Sequence, residues 1–235
     1  MRRRNNKTCL YPLLASTSYL CIMTNFIPLF PLNIVVYPGE DLNLHIFEPR
    51  YKQLINECHA AKKPFGIPAV IQNEMQEYGC MAEVTELSKV YDTGEMDIKT
   101  KGLKIFRILE VITAVPEKLY SGAIVNYPST HERGVPELMR KVMVSIRELH
   151  QLLKVNKEFA RPNNELNAYD VAHHIGLSLE EEYELLKLLD ERQRQEYLKR
   201  HLTKVIPMLS GMEELKEKIK LNGHFKNLGG VDFVK

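Results

Sequence analysis

The stretch that decides the fold class is "FIPLFPLNIVVYPGEDLNLHIFEPRYKQLINEC", residues Phe26–Cys58. It combines an apolar run with several prolines, which lack a backbone N–H and usually end regular structure. The β-branched run Ile34–Tyr37 ends at a Pro-Gly turn and predicts a short strand buried on both faces. The prolines are therefore interpreted as borders of short elements, and they are Pro28, Pro31, Pro38 and Pro49.

A strand and a helix are predicted on either side of the last of these prolines. Leu42, Leu44 and Ile46 alternate with polar residues, which is typical of a strand with one apolar face. Pro49 suits the first turn of a helix, and Glu48 places a carboxylate at the positive end of the helix dipole. The apolar stripe of this helix has helical spacing and consists of Tyr51, Leu54, Ile55 and Cys58.

Further strand signals continue as far as Pro128. Asp92-Thr93-Gly94 is a tight-turn sequence between two alternating segments and predicts a hairpin. Lys101-Gly102 predicts a second turn. About six or seven short strands in this region favour a small barrel or sandwich. Those that follow the first helix are expected at Phe65–Gln72, Met81–Val90, Met96–Thr100, Leu103–Ala114 and Ser121–Tyr127.

The pattern becomes helical after a linker at residues 129–135. Pro136 opens a predicted helix, and residues 156–167 form a polar loop. The apolar face of the helix is expected to contain Leu138, Val142, Ile146, Leu149 and Leu153.

Three more helices are predicted after this loop. Ala168–Ile175 is expected to be a short helix that Gly176 ends. A capping box at Ser178–Glu181 begins a long helix through Val205, and a last helix is expected over residues 210–222.

These elements divide the chain into four segments. Residues 1–25 are expected to be a disordered extension or the product of a mis-chosen start codon, with an export signal as the alternative. Residues 26–128 form a β domain, residues 135–222 a helical bundle and residues 223–235 a tail. The predicted fold class is α+β, in which a β domain with one inserted helix precedes a C-terminal α-helical bundle.

Composition and charge limit the classes of function. The 235 residues carry 32 basic and 30 acidic side chains, and residues 1–22 hold four of the basic ones and none of the acidic ones. The remainder is close to neutral, which argues against nucleic-acid binding as the main task. No apolar stretch reaches about 18 residues, so no membrane span is expected. The cysteines form no C-x-x-C pair, which predicts free thiols in a reducing, cytoplasmic compartment and no zinc site.

No catalytic motif is present in the sequence. It contains no P-loop and no G-x-S-x-G, H-E-x-x-H or dinucleotide-binding pattern. Asp92-Thr93-Gly94 also occurs in aspartic proteases, but their chemistry needs a second aspartate, so a solvated turn is the prediction. His173 and His174 are adjacent and point about 100° apart on a helix, which does not suit a shared metal ion. We therefore predict a non-enzymatic protein that holds no metal and no cofactor.

The polar-aromatic string His45–Tyr51 contains the main candidates for a binding site. His45 is expected beside Glu48 and Arg50, as part of either a hydrogen-bonded cluster that fixes strand to helix or a ligand-facing patch. A purely structural Glu48–Arg50 ion pair remains an alternative. The candidate peptide-binding residues are His45, Phe47, Glu48, Arg50, Tyr51 and, near the junction of the two halves, Tyr127.

The charged runs further along the chain carry no predicted site. Glu180–Glu182 and Asp190–Lys199 are interpreted as solvated helix faces.

Several motifs resemble the N-terminal substrate-binding domain of the ATP-dependent protease Lon. "IPLFPLNIVVYPGEDLNLHIFEPRYKQLI" shares the family's proline-rich entry, its Pro-Gly turn and the hexapeptide Ile46–Tyr51. "GCMAEVTEL", "GLKIFRI" and "YDVAHHIGLSLEEEYELLKLLDERQRQEYL" resemble later segments, and the resemblance covers about residues 26–210. Ile105 stands where the family has an arginine, so any ion pair of that arginine is absent from this chain.

The resemblance implies a PUA-like pseudobarrel followed by a helical bundle. It implies binding of unfolded or extended polypeptide, together with contacts to other proteins of the proteolysis machinery, without ATP use or peptide cleavage. PUA-like folds also occur in RNA-binding proteins, so an RNA-binding module is the alternative function. A hydrolase with an unrecognised site is a third hypothesis.

Overall fold

A computed structural model describes residues 25–157, 159, 161–162 and 165–226, with side chains as far as residue 215. The expectations for residues 1–24 and 227–235 lie outside the described residues.

The described residues form one antiparallel sheet of six strands, which are β1 (Phe26–Pro28), β2 (Asp41–Ile46), β3 (Phe65–Ile71), β4 (Glu74–Val90), β5 (Met96–Ile112) and β6 (Gly122–Asn126). Their order is β1-β6-β5-β4-β3, with β2 added to β5. Residues 29–32 run on from β1 and lie parallel to β3, where Phe30 N–H donates to Gly66 O at 2.8 Å and Val70 N–H to Leu32 O at 2.8 Å. These bonds close the sheet into the predicted pseudobarrel.

Residues 83–90 of β4 and 96–101 of β5 lie beyond the parts of these strands that pair with β3 and β6, and β2 pairs with residues 96–101. We call β2, residues 83–90 and residues 96–101 the β-arm. The hairpin at its tip confirms the predicted turn, since Gly94 has a φ of 75° and donates its N–H to Tyr91 O at 2.8 Å.

The prediction of a strand at Ile34–Tyr37 is wrong, although the predicted burial on both sides is right for three of its residues. This segment begins with a bend at Ile34 and joins no sheet. Val35 and Tyr37 point into the core shared with the C-terminal helices, and Val36 points into the core beneath the helix that begins at Pro49. The backbone N–H of Tyr37 binds the Glu40 carboxylate at 2.9 Å instead of a neighbouring strand.

The prediction of a turn at Lys101-Gly102 is also wrong, because β5 is continuous through both residues. Gly102 serves a close approach. A Cβ atom at this position would lie 2.1 Å from the carbonyl oxygen of Tyr37. Sequence reasoning took this glycine for a turn because both roles require the absence of a side chain.

Five helices complete the part of the fold that the structure describes. The four predicted stripe residues of the first helix are all buried, Pro49 is its first residue and Glu48 is its N-cap. The predicted capping box between Ser178 and Glu181 is present. No helix in the described part of the chain is both long and apolar enough to cross a membrane. The helices are α1 (Pro49–Ala61), α2 (Pro136–Leu152), α3 (Ala168–Ala172), α4 (Leu179–Lys187) and α5 (Glu191–Lys226).

The C-terminal helices differ from the prediction at two points. The expected long helix breaks after α4, because Leu188 is extended and the Asp190 side chain accepts the N–H of Gln193 at 3.2 Å, as an N-cap does. The expected separate helix from Ser210 is part of α5, which continues past Pro207 to Lys226. The start signal at Ser178 therefore marks the beginning of a helix, whereas the one at Ser210 lies inside α5.

Two of the predicted helix ends also shift. α3 stops at Ala172, and a turn leads from there to Gly176, which has a φ of 75°. Leu153 lies just beyond α2 and is exposed, whereas the other four residues predicted for the apolar face of α2 are buried.

The largest core cluster spans both halves of the molecule. The β half contributes a small set of residues that pack with apolar side chains from α2, α3, α4 and α5. Two further clusters fill the barrel and the space beneath α1. The β residues of the shared core are Val35, Tyr37, Ala69, Ile71 and Ile105.

Candidate peptide-binding site

The chain turns sharply from β2 into α1, and the structure gathers five of the six predicted site residues there. Ile46 is buried and anchors the end of the strand. Glu48 is extended and Pro49 begins the helix. The side chains on either side of this border therefore surround a tight corner. We call the five residues the corner site: His45, Phe47, Glu48, Arg50 and Tyr51.

His45 binds the β-hairpin and not the start of the helix, which corrects the expected contact with Glu48 and Arg50. Its Nδ1 lies 2.7 Å from Asp97 Oδ1, and the Tyr91 hydroxyl donates to the other oxygen of Asp97 at 2.8 Å. These hydrogen bonds with His45 and Tyr91 lower the pKa of the Asp97 carboxyl. The cluster ties β2 to the tip of the β-arm.

Glu48 and Arg50 form the predicted ion pair. Glu48 Oε2 accepts from Arg50 Nε at 2.8 Å and from its second nitrogen at 2.7 Å. The guanidinium also lies 4.5 Å from the ring centre of Tyr51. Tyr51 itself is buried against Phe30, with ring centres 4.2 Å apart, so it supports the corner from below.

Phe47 presents the apolar surface of the corner site. Its side chain is 59% exposed. Its ring stacks with that of His45 at 6.2 Å between centres. An exposed phenylalanine held beside an ion pair and a histidine provides apolar contact area with polar groups around it, a composition that protein interfaces favour.

Tyr127 lies away from the corner site. It follows β6, and its ring packs with the barrel core near Phe106 and beneath Lys104, whose Nζ lies 3.6 Å from the ring centre. β6 meets β5 at Arg107, whereas His45 meets β5 at Asp97. Ten residues of strand correspond to roughly 33 Å. The structure therefore does not bring Tyr127 to the other candidates.

Sequence reasoning missed a buried charged centre at the start of α5. The Arg194 side chain is fully buried and donates to Glu191 at 2.8 Å, to Glu132 at 3.1 Å and to the carbonyl of Leu188 at 2.9 Å. Its guanidinium also lies 4.3 Å from the Tyr169 ring centre. Burial raises the pKa of Glu191, against the lowering effect of Arg194.

The interpretation of Asp190–Lys199 as a solvated face is therefore wrong for its inner side. Arg194 precedes the buried Leu198 and Leu202 by one and two helical turns. This spacing placed the arginine on the apolar stripe, and it was the signal in the sequence that could have revealed its burial.

A second polar cluster lies where the β half meets the helices. The rings of Tyr37 and Tyr169 stack at 4.7 Å, and the Tyr37 hydroxyl donates to the carbonyl of Glu182 at 3.0 Å. His173 lies between two carboxylates, 2.7 Å from Glu182 and 3.2 Å from Glu40. Burial by itself lowers the pKa of His173, but the bonds to both carboxylates outweigh it and raise this pKa to about 9.

A groove of about 510 Å³ lies between α2 and the start of α5. Apolar residues of its lining include Met139, Met143 and Leu166, and its charged residues include Arg140 and Arg147. Methionine side chains adapt to ligands of varied shape, and this groove is a concave surface separate from the corner site.

The described residues contain no cluster of side chains that suits a metal ion. Cys58 and Cys80 are free and buried. Burial raises the pKa of the Cys58 thiol to about 11 and that of Cys80 to about 12, so both thiols are poor nucleophiles.

Residues 27–204 match the family described as the ATP-dependent protease La (LON) substrate-binding domain. The chain belongs to this family. The matched domain binds substrate and is not itself catalytic, and the corner site is one of its surfaces.

Two solved Lon N-terminal domains have the same fold. A crystal structure of a Lon N-terminal domain protein from Xanthomonas campestris is 23% identical over 74% of this chain and 96% of its own, with a TM-score of 0.57. The N-terminal domain of a Mycobacterium avium complex Lon protease is 14% identical over 76% of this chain and 98% of its own, with a TM-score of 0.55.

Ile105, for which the resemblance implied an arginine in Lon domains, is part of the core in this structure. The residue is 1% exposed and lies in the core shared by the β half and the helices. An apolar side chain here adds to the contact between the two halves.

Proposed function

We propose that this protein is a non-enzymatic module that binds unfolded or extended polypeptide. The observation that supports it is the match of residues 27–204 to the Lon substrate-binding domain. In this proposal the protein uses no ATP, binds no cofactor and cleaves no peptide bond. It acts in the cytoplasm, together with other proteins of the proteolysis machinery. The free thiols of Cys58 and Cys80 suit a reducing compartment.

The corner site is the proposed contact surface. Phe47 offers apolar area, while Glu48, Arg50 and His45 offer charged and polar groups that are already fixed by their own bonds. Such fixed groups lose little side-chain entropy when a ligand arrives.

Fluorescence anisotropy with labelled, reduced and carboxymethylated α-lactalbumin tests both parts of the proposal. Phe47→Ser should weaken binding about tenfold, because the exposed ring supplies contact area that serine lacks. Leu109→Ser is the matched control, since Leu109 is also 59% exposed but lies far along β5. We expect the control to bind within about twofold of the wild type.

The possible outcomes test the proposed function and the proposed contact surface separately. Failure of the wild-type protein to bind this and other unfolded chains would contradict the proposed function. Equal effects of the two serine variants would leave the function standing and remove the corner site, with the α2–α5 groove as the next surface to test. Binding of RNA that weakens steeply with salt would instead favour the RNA-binding alternative.

A further inference from the structure

The outer edge of β2 carries unpaired backbone groups in the part of the chain that the structure describes. β2 pairs only with β5, from Asp41↔Lys101 to Ile46↔Met96. No other described backbone segment forms a hydrogen bond with it. The β-arm therefore ends in a free strand edge beside the corner site.

The bonds to β5 show which residues face outward. Gly102 donates its N–H to the carbonyl of Glu40 at 2.8 Å, and Thr100 Oγ1 donates to the carbonyl of Leu42 at 3.0 Å. Because successive residues of a strand face opposite sides, the backbone groups of the residues between and after them point away from β5. These outward residues are Asp41, Asn43 and His45, all of them exposed.

The opposite edge of the β-arm is protected, whereas this one is not. Residues 83–90 of β4 contain two register shifts and the charged residues Glu83, Glu86 and Lys89. Bulges and charges of this kind prevent pairing with another strand. β2 has an unbroken register, contains no proline and no lysine, and carries one carboxylate, that of Asp41 at its first position. Only the β2 side of the β-arm is thus suited to accept another strand.

We propose that the outer edge of β2 captures an extended segment of an unfolded polypeptide by β-strand addition. This inference rests on the proposed function and names how the ligand is held. Main-chain hydrogen bonds do not depend on side-chain identity, so one strand edge can bind ligands of many sequences. Each outward residue offers one N–H and one C=O to the incoming strand.

The two faces of β2 also predict which segments bind best. Leu42 and Leu44 are half-buried at the rim of the core beneath α1, so neighbouring ligand side chains on that face meet apolar surface. Asp41, Asn43 and His45 offer polar groups on the other face. Segments that alternate apolar and polar residues are therefore the expected ligands, and segments rich in proline are expected to be excluded.

Paired substitutions at Asn43 test this directly. Asn43→Pro removes one outward N–H without touching the bonds to β5, while Asn43→Ala removes only the side chain. With labelled, carboxymethylated α-lactalbumin as the probe, we expect the proline variant to bind about fivefold to tenfold more weakly and the alanine variant to bind within about twofold of the wild type. Equal affinities of the two variants would overturn the inference.

Hydrogen exchange on the wild-type protein decides the matter without any variant. The amides of Asp41, Asn43 and His45 should gain protection when the probe is added, and those of residues 83–90 should not. Tight binding without protection of β2 would overturn strand addition but leave the proposed function standing, whereas no binding at all would contradict both. Protection of β2 in the free protein, together with a dimeric mass by light scattering, would make a second copy the occupant and also overturn the inference.

Discussion

Arg194 joins the linker, α3, α5 and the break between α4 and α5. Its side chain binds carboxylates from the linker and from α5, a carbonyl from the break between α4 and α5, and the ring face of Tyr169 in α3. No described buried side-chain polar atom lacks a hydrogen-bond partner. A buried guanidinium is stable only under this condition, because an unpaired charge in the interior is very unfavourable.

Replacement of this arginine should destabilise the protein strongly. Arg194→Ala leaves the buried Glu191 carboxylate without its cation, and we expect the free energy of unfolding to fall by about 3–5 kcal/mol. Urea denaturation followed by circular dichroism gives this value. Arg192→Ala, at an exposed position in the same turn, serves as the control and should change it by less than about 0.5 kcal/mol. Similar values for the two variants would show that the buried network contributes little.

At the scale of elements, β5 organises the β half. It pairs with β2, β4 and β6 along its length, so its continuity through Gly102 fixes the position of the β-arm relative to the barrel. The same glycine admits the backbone of Tyr37, which carries the chain from the barrel to β2. The absence of a side chain at Gly102 thus allows β5 and the segment at Tyr37 to pass each other in close contact.

A methyl group at position 102 should push β5 and the backbone of Tyr37 apart. Gly102→Ala would place its Cβ 2.1 Å from a backbone oxygen that cannot rotate away, so we expect a loss of about 3 kcal/mol or more in the free energy of unfolding. Gly211→Ala is the control, because nothing lies within 4 Å of its Cβ and it sits inside α5. That change should raise stability by up to about 1 kcal/mol, since alanine favours helix. A neutral Gly102→Ala variant in thermal and urea unfolding would contradict the role of close approach.

At the scale of the whole molecule, the two halves share one core and one ion cluster. Val35, Tyr37 and Ile105 of the β half pack among the helices. His173 joins Glu40, which precedes β2, to Glu182 of α4. These contacts connect the segment that leads into β2 with the helical half.

The His173 bridge should make stability depend on pH. Its folded pKa of about 9 exceeds the ordinary value of 6.5, so its contribution is complete below about pH 6.5 and is lost as the pH rises through about 9. Because the side chain is partly exposed, we expect a contribution of about 1–2 kcal/mol. The stability difference between wild type and His173→Gln, measured by urea denaturation, should shrink from pH 6 to pH 9.5. His59→Gln is the exposed control, and a difference for His173→Gln that is constant with pH would contradict the bridge.

Local patterns in the sequence predicted the parts of the fold that depend on near neighbours. The stripe of α1, the capping box of α4 and the hairpin turn at Gly94 are each complete within a few residues, so the sequence shows them. The glycine at position 102 and the start signal at Ser210 have the same local pattern as a turn and a helix start. Their true roles depend on Tyr37 and on the rest of α5, which lie outside any local window.

The features of the candidate site also divide into those that local sequence determines and those that depend on tertiary contacts. The sequence alone determined that a charged and aromatic corner joins β2 to α1, because the prolines and the alternating residues on either side fix that turn locally. Only the tertiary structure decided that His45 binds Asp97, that Tyr127 lies elsewhere, that Arg194 is buried and that no described strand pairs with the outer edge of β2. Each of these depends on which strand or helix lies next to another, and long-range packing, not local propensity, determines that arrangement.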